Sequence, residues 1–215
     1  MLMGPPGAGK GTQAERLVKK FGMKHLSSGD IFRAEKASDS ELGRKLASYM
    51  DAGQLVPDEV VVEMMAKAVT QAGDNIMLDG FPRTVAQAES LDEQLAEAGS
   101  PLDAVVVMTA NDDIIIKRIT GRRTCPACNR GYHVTFMPPK TEGYCEDCDD
   151  VELTQRSDDC EETVRQRLEA YRAQTEAVIG YYRDRNLLKI IDVDGNLDAE
   201  IVSGEVIQAL ASFEA

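Results

Sequence analysis

The 215-residue chain contains no tryptophan, and aromatic residues make up only 5% of it. Basic residues are also scarce: 24 lysines and arginines stand against 37 aspartates and glutamates, for a formal net charge of −13. So acidic a chain is a poor match for the phosphate backbone of nucleic acids, which we do not expect as partners. The 43% of hydrophobic residues indicates a globular protein with an aliphatic core. A phosphate-binding site would have to gather its few cations locally.

The sequence also lacks an apolar run near the roughly 20 residues that a membrane span requires. It has no secretory signal pattern, so we expect a cytoplasmic protein with no membrane partner. In that compartment paired cysteines indicate a metal more often than a disulfide. Residues 1–3 are short for a strand before the first motif. Either residues are missing ahead of them or the first strand is unusually short.

A glycine-rich stretch near the start reads Gly4-Pro5-Pro6-Gly7-Ala8-Gly9-Lys10-Gly11-Thr12. The spacing of Gly4, Gly9 and Lys10 matches the Walker A pattern, in which backbone N–H groups at a helix N-terminus bind phosphates. Position 11 is glycine, so the hydroxyl that usually binds magnesium is either missing or displaced to Thr12. The alternative, a glycine-rich turn that binds nothing, is disfavoured by the strand–loop–helix context and by the motifs that follow.

Apolar periodicity predicts the secondary structure. Helices are expected at 13–21, 31–37, 42–52, 56–68, 84–98, 112–120, from 158 to about 185, and at 197–211. Extended segments are expected at 25–28, 75–79, 104–108 and 188–193. The run at 104–108 is continuously apolar, as in a strand buried on both faces. Strands alternating with helices predict an α/β fold with a doubly wound parallel sheet. Asp158 and Glu161 resemble a capping pair at the start of the long helix.

The pattern breaks between residues 122 and 156, where two C-x₂-C pairs lie sixteen residues apart: Cys125, Cys128, Cys145 and Cys148. This spacing predicts a zinc site, and four protein ligands make it structural rather than catalytic. Two disulfides or four unrelated thiols are the alternatives. Zinc would supply folding energy to a small insertion that lacks a core of its own. Cys160 is left over and is predicted to be a free thiol without function.

Three further motifs follow the glycine loop in order: Ser28-Gly29-Asp30 with Arg33, Asp79-Gly80-Phe81-Pro82-Arg83 with Gln87, and Gly121-Arg122-Arg123 followed by Arg156 and Arg167. In this order and spacing the chain resembles the adenylate kinase family, in its long form with a zinc-bearing lid. The resemblance extends over nearly all residues. It implies a P-loop core at 1–26, 57–120 and 159–215, a helical AMP-binding insertion at 27–56 and a small β-rich lid with the zinc site at 121–158.

The resemblance also implies the reaction. A phosphoryl group passes reversibly from ATP to AMP, giving two ADP, with magnesium as cofactor and with closure of the lid. The acceptor oxygen of AMP is already anionic, so catalysis needs positioning and charge neutralisation rather than a general base. Arginine suits this role because its planar fork binds phosphate oxygens in pairs. ATP, AMP and ADP are the expected partners of a monomer that serves nucleotide biosynthesis.

Site residues follow from the resemblance position by position. ATP is assigned to Gly7, Ala8, Gly9, Lys10, Gly11, Thr12, Arg118, Arg122, Tyr132 and Leu197. AMP is assigned to Ser28, Arg33, Gln54, Leu55, Val56, Gly80, Phe81, Pro82, Arg83, Gln87, Arg156 and Arg167. Catalytic charge is assigned to Lys10, Arg83, Arg122, Arg156 and Arg167. Magnesium, held through water, is assigned to Asp79 and Asp30. Arg123 and Arg165 are interpreted as surface cations.

Two alternatives stay open at this point. Ser28 stands where the family pattern usually has threonine, so a kinase for UMP, CMP or GMP is the nearest competitor, although Gln87 and the long lid favour AMP. A zinc-ribbon module acting as a nucleic-acid-linked ATPase is a different class. It would need a basic face, yet residues 125–148 carry Arg130 and Lys140 against three acidic side chains: Glu142, Glu146 and Asp147.

Overall fold

A five-stranded parallel sheet forms the centre of the fold in the computed structural model, which describes residues 1–38, 40–185 and 189–211. Strand β1 (Leu2–Met3) lies in the middle, between β3 (Ile76–Asp79) and β4 (Ala104–Thr109). Strands β2 (Lys24–Ser27) and β7 (Lys189–Asp194) flank these three. The sheet confirms the prediction of a doubly wound α/β fold. Residue 188, the predicted start of the last strand, lies outside the described residues.

The strand order reverses at β1, because the chain continues to β2 and β3 on one side and to β4 and β7 on the other. Leu2 pairs with both Asp79 and Val106. The loop after β1 and the carboxyl ends of its two neighbours therefore meet at one edge of the sheet. Ligands of open α/β sheets bind at such a switch point.

Helices cover both faces of this sheet. They are α1 (Lys10–Phe21), α2 (Ser28–Ala37), α3 (Glu41–Asp51), α4 (Asp58–Ala72), α5 (Val85–Glu97), α6 (Asp112–Thr120), α7 (Glu161–Ala170), α8 (Glu176–Asp184) and α9 (Ala199–Leu210). Among the residues described, no helix is both long and apolar enough to cross a membrane.

Strand β4 is buried on both faces, as its apolar run predicts. Val106 and Met108 pack in one cluster with Leu17 of α1 and Val206 of α9. The intervening Val105 and Val107 contribute to another cluster, which includes Tyr182 of α8. Alternate side chains of a strand point to opposite faces, so a strand covered on both sides must be apolar at every position.

The long helix predicted from 158 to 185 is interrupted. A short stretch of π-helix, Tyr171–Thr175, separates α7 from α8. The predicted capping pair at its start is wrong: Cys160 is the N-cap residue, without a side-chain cap bond, and Asp158 instead accepts a hydrogen bond from Arg167 Nη1 at 3.0 Å. A carboxylate beside a guanidinium gains a charge-assisted bond, which is stronger than a bond to a neutral N–H.

The lid segment contains a two-stranded antiparallel sheet of β5 (Arg122–Thr124) and β6 (Gly131–His133). Its remaining backbone is mostly turns, with isolated bridges such as Thr124 to Thr154. A small cluster of Cys125, Tyr132 and Cys145 forms its interior. So few buried side chains give little hydrophobic stabilisation, which makes a metal the natural source of folding energy here.

Candidate active site

The glycine loop connects β1 to α1 at the switch point. Gly4, Gly7 and Gly9 all have positive φ angles, of 137°, 77° and 101°. A Cβ atom at Gly4 would collide with the carbonyl oxygen of Met108, so the loop packs against the end of β4 too closely for any side chain. Gly9 is the N-cap of α1 and offers no side chain to the first N–H groups of the helix. Those donors are available to an anion, as the motif predicts.

Lys10 begins α1 and folds back over the loop. Its Nζ donates to the carbonyl oxygens of Gly4 at 2.8 Å and Pro5 at 2.9 Å. Burial and, to a smaller extent, the charges of nearby arginines lower the pKa of Lys10 to about 8, although the charge of Asp79 acts in the opposite direction. The ammonium group is thus held by two neutral carbonyls in a cationic surrounding, a position that an entering phosphate would stabilise.

Five arginines surround the same space. They are Arg33 on α2, Arg83 after β3, Arg122 on β5, Arg156, and Arg167 on α7. Burial, then the charges of other members, lowers the pKa of Arg83 to about 10 and of Arg156 to about 10. Burial chiefly also lowers the pKa of Arg167, with Arg122 and Arg33 acting in the same direction. Arg33, Arg83 and Arg167 line one cavity, and Arg122 and Arg156 lie within electrostatic reach of this set.

Three of these arginines form ion pairs with carboxylates. Asp159, which is fully buried, accepts two hydrogen bonds from Arg122, one of them from Nε at 2.9 Å. Asp158 pairs with Arg167 and Asp30 pairs with Arg33. Arg83 is held differently, because its Nε donates to the carbonyl of Gly80 at 2.7 Å. Asp158 and Asp159 were missed as partners by sequence reasoning, since nothing distinguishes them from the other 35 acidic residues of the chain.

Asp79 ends β3 beside the glycine loop, with a side chain that is 12% exposed. Its Oδ2 lies 3.3 Å from Nε2 of His25 on β2. Burial lowers the pKa of His25, but the hydrogen bond and charge of Asp79 outweigh it, so the pKa is raised overall. A carboxylate at this edge is suited to holding hydrated magnesium. Sequence patterns placed His25 in an extended segment but gave no sign of this contact.

Eight of the twelve AMP-assigned residues line one cavity between α2, the α3–α4 connection and the end of β3, whereas Ser28, Phe81, Pro82 and Arg156 are not part of its wall. Gln54, Leu55, Val56, Arg33, Arg83 and Gln87 all belong to its wall. Ser28 is buried, and its hydroxyl donates to the Gly80 carbonyl at 2.7 Å. That hydroxyl holds the turn after β3, and the turn carries the Phe81–Pro82 peptide bond, which is cis.

At the opposite end of the glycine loop, Arg118 Nη1 donates to the carbonyl of Gly195 at 2.6 Å. A Cβ atom on Gly195 would lie 2.6 Å from the Ala8 carbonyl oxygen, so the turn after β7 packs directly against the loop. Leu197, two residues on, is 38% exposed. Arg118 and Leu197 therefore lie near the loop from the side of β7.

The four lid cysteines come together. Their sulfur atoms all lie within 4.8 Å of one another, and Cys128 Sγ lies 3.6 Å from Cys145 Sγ. Zinc–sulfur bonds of about 2.3 Å in a tetrahedron put the sulfurs about 3.8 Å apart, so the set fits zinc. All five cysteines, which lie within the described residues, are free thiols, so the disulfide alternative is not found.

Tyr132 supports the cysteine cluster rather than lining the cavity. Its hydroxyl lies 3.4 Å from Cys145 Sγ and accepts from the Glu146 N–H at 2.8 Å. The hydrogen bond between the Tyr132 hydroxyl and Cys145 Sγ lowers the pKa of the Cys145 thiol to about 6. The lower pKa favours the thiolate, which is the form that a metal requires. The ring is 3% exposed. The side chain of Tyr132 is therefore engaged by the cysteine cluster.

Charge on the lid speaks against the nucleic-acid alternative. Arg130, one of the two cations within residues 125–148, is ion-paired with Asp147 at 2.6 Å and Glu146 at 3.0 Å. The guanidinium is neutralised by two carboxylates, so it cannot serve as part of a basic face. Phosphate backbones need clustered, available cations.

Comparisons with known proteins agree with this geometry. The family model described as adenylate kinase matches residues 2–187. The chain is similar to the adenylate kinase of Carboxydothermus hydrogenoformans, with 49% identity over 98% of both chains. It is also similar to those of Streptomyces coelicolor, with 50% identity over 92% of both chains, and Archaeoglobus fulgidus, with 47% identity over 96% of this chain and 94% of the relative. With a parallel P-loop core and a four-cysteine lid that fits the zinc-bearing long form, the chain belongs to the adenylate kinase family, enzymes that convert ATP and AMP into two ADP.

Proposed function

We propose that this protein transfers a phosphoryl group reversibly between ATP and AMP in a magnesium-dependent reaction that proceeds with closure of the lid. The observation that carries the proposal is a group of cations at one cavity: Arg33, Arg83 and Arg167 line it, and Lys10, Arg122 and Arg156 lie within electrostatic reach of them. Two nucleotides bring several negative charges into this space. Cations at fixed positions neutralise them, which is the main requirement of phosphoryl transfer.

ATP would bind at the glycine loop. The backbone N–H groups from Gly7 to Thr12 and the Lys10 ammonium would hold its phosphates, since α1 offers them without a side-chain cap. Arg118, Leu197 and the Tyr132 main chain would lie toward its nucleoside. Arg122 would approach the transferring group from the lid.

AMP would bind in the cavity on the other side. Arg33 and Arg83 would hold its phosphate, with Arg156 and Arg167 shared between the two nucleotides. The turn Gly80-Phe81-Pro82 with Ser28, and the backbone of Gln54, Leu55 and Val56, would enclose the nucleoside. Gln87 lines this cavity and would contact the base.

Magnesium would be held through water by Asp79, with Asp30 as a second carboxylate. Magnesium gives up its water reluctantly and keeps octahedral geometry, so a carboxylate at hydrogen-bonding distance from its water shell is sufficient. It would neutralise charge on the ATP phosphates. The glycine at position 11 removes the usual direct ligand, which makes Asp79 more important.

The domain division rests on the resemblance to the adenylate kinase family. We assign residues 1–26, 57–120 and 159–215 to the core, 27–56 to an AMP-binding insertion and 121–158 to the lid. Arg33 belongs to the insertion and Arg122 to the lid, so these cations reach the transfer site together only when both units close. Closure would exchange the carboxylates of Asp30, Asp158 and Asp159 for phosphate oxygens, and would exclude water from the transfer.

A zinc ion in the cysteine cluster would keep the lid rigid as it moves. Four protein ligands would leave no open position on the ion, so it would take no part in the reaction. A monomer in the cytoplasm, acting in nucleotide biosynthesis, remains the expected setting.

The decisive experiment is an acceptor panel. ADP formation is measured with ATP, magnesium and AMP, GMP, UMP or CMP in turn, and repeated with excess EDTA. AMP is expected to give the highest kcat/KM, and EDTA to abolish the rate. A faster rate with another monophosphate would replace AMP as the acceptor, and ATP hydrolysis independent of any acceptor would contradict the proposal. Small-angle X-ray scattering with ATP and AMP should show a smaller radius of gyration than the free protein if closure occurs.

A further inference from the structure

The Gln87 amide is held from two sides. Its Nε2 donates to Asp58 Oδ1 at 2.7 Å, and its Oε1 accepts from the backbone N–H of Arg83 at 2.8 Å. The residue is only 1% exposed, yet it belongs to the wall of the AMP-assigned cavity. Each amide atom thus keeps part of its hydrogen-bonding capacity for a ligand: one N–H and one lone pair.

The two anchors have opposite chemistry. A carboxylate can only accept and a backbone N–H can only donate, so a single orientation of the Gln87 amide satisfies both. Rotating the amide by 180° would set its oxygen against the Asp58 carboxylate and its amino group against the Arg83 N–H. Both contacts would then be repulsive, in a buried place where unsatisfied polar groups are costly.

Asp58 is itself fixed. Its Oδ2 accepts from Thr84 Oγ1 at 2.8 Å, and the same hydroxyl accepts from the Gln87 backbone N–H at 3.2 Å. Asp58 is the first residue of α4, and Thr84 is the N-cap of α5. A closed ring of hydrogen bonds therefore joins the starts of two helices around the Gln87 amide.

Orientation of this amide matters because purines differ in polarity at one edge. Adenine presents the donor N6–H₂ beside the acceptor N1, whereas hypoxanthine presents the acceptor O6 beside the donor N1–H. An amide in one orientation matches adenine and in the reverse orientation matches hypoxanthine. An amide that is free to rotate would accept either base.

We propose that Asp58 is a specificity-determining positioning residue, which acts through Gln87 to commit the acceptor site to a 6-aminopurine and against a 6-oxopurine. The inference rests on the proposed function, in which Gln87 contacts the AMP base. Asp58 itself is not part of the wall of the cavity that Gln87 lines. The competing explanation is that Asp58 merely supplies negative charge to the N-terminus of α4, as any acidic residue in the first turn would.

Glu59 separates these explanations. It is the other acidic residue in the first turn of α4, and it is exposed. The Glu59→Gln variant loses the same charge at the same helix end but leaves the ring around Gln87 intact. The Asp58→Asn variant keeps the shape of the side chain, but can turn either an oxygen or an amino group toward Gln87.

The test measures kcat and KM for AMP and for IMP at saturating ATP and magnesium in the wild type and both variants. IMP carries hypoxanthine, so it changes only the edge in question. We expect Asp58→Asn to raise the ratio of kcat/KM for IMP to that for AMP at least about tenfold, mainly through KM, with the KM for ATP unchanged. Glu59→Gln should leave this ratio within about twofold of the wild type.

The outcomes separate this inference from the proposed function. If the wild type uses IMP as well as AMP, the assignment of the acceptor site itself is wrong. A wild type that prefers AMP and an Asp58→Asn variant with the same preference would overturn only the role of Asp58, as would an equal change in Glu59→Gln. Calorimetric binding of AMP and IMP without ATP gives the same ratio independently of turnover. Should Asp58→Asn fold poorly, Asp58→Ser replaces it, since a hydroxyl also both donates and accepts.

Discussion

The nucleotide cavity and the lid cysteine cluster both gather groups that repel one another when charged, but they do so in opposite ways. The cavity draws its cations from α1, α2, β5, α7 and the turn after β3, far apart in the chain. The cluster draws its four sulfurs from two turns within residues 125–148. Groups from distant elements converge only while the fold holds them, whereas groups from neighbouring turns stay together.

The partners of the two sets differ accordingly. In the cavity, Arg122 and Arg167 are paired with carboxylates that phosphate oxygens could replace. In the lid, the sulfurs lie close to one another and to the Tyr132 hydroxyl, and a zinc ion would bind all four of them. The first arrangement suits substrates that come and go. The second suits an ion that stays.

Removing the ammonium group of Lys10 tests the role of charge in the cavity most severely. Lys10→Met keeps the aliphatic stem but removes the ammonium group, so we expect kcat/KM to fall about 10³-fold, since fixed charge is the main catalytic term. The melting temperature should stay within about 2 °C. Lys19→Met, on the exposed side of the same helix, is the control and should leave the rate unchanged. A normal rate in Lys10→Met would contradict the phosphate assignment.

Two adjacent arginines test whether the cavity needs guanidinium groups at defined positions. Arg122→Lys keeps the charge but loses the fork that binds Asp159, so we expect kcat to fall about 10²-fold. Arg123 donates only to backbone carbonyls of Thr120 and Arg122. Arg123→Lys should therefore keep kcat within about twofold of the wild type. Steady-state rates with ATP and AMP decide between them, and equal losses in both variants would refute the distinction.

The lid prediction concerns stability more than rate. Replacing Cys125 and Cys128 with serine should remove bound zinc and lower the melting temperature by about 5 °C or more, because the lid loses its main source of folding energy. The intrinsic rate at low temperature should change much less than in the arginine variants. Cys160→Ser is the matched control and should alter neither property. Unchanged metal content by elemental analysis would show that the cluster does not hold zinc.

Proton uptake on ATP binding tests the protonation state of Lys10, and the expected effect is modest. Its pKa is lowered from 10.5 to about 8 in the free protein, so the amine is half neutral near pH 8. ATP phosphates favour the ammonium form and raise this pKa again, so binding at pH 8 should take up about half a proton. ATP affinity should accordingly weaken as the pH rises above 8. Calorimetry in buffers of different ionisation enthalpy measures the uptake, and its persistence in Lys10→Met would assign it to another group.

Local patterns predicted most of the secondary structure, the glycine loop and the cysteine cluster. The glycine loop, the strand at 104–108 and the four cysteines each depend on residues close in sequence, so their spacing was sufficient. The break at Tyr171–Thr175 and the failure of Asp158 to cap α7 were not predictable in this way. Asp158 forms an ion pair with Arg167 instead, a contact between charged side chains that apolar periodicity does not register.

The order of amino acids alone was enough to predict an acidic α/β protein with a phosphate loop, a zinc-type cysteine pattern and arginines embedded in motifs. These features are written in residue type and short spacing. The fold was needed to show which of the 37 carboxylates hold the arginines, that His25 contacts Asp79, and that Asp58 and the Arg83 backbone fix the Gln87 amide. His25 and Asp79 are 54 positions apart in the chain, and Asp58 and Gln87 are 29 apart, so folding and not local pattern brings each pair within a hydrogen bond.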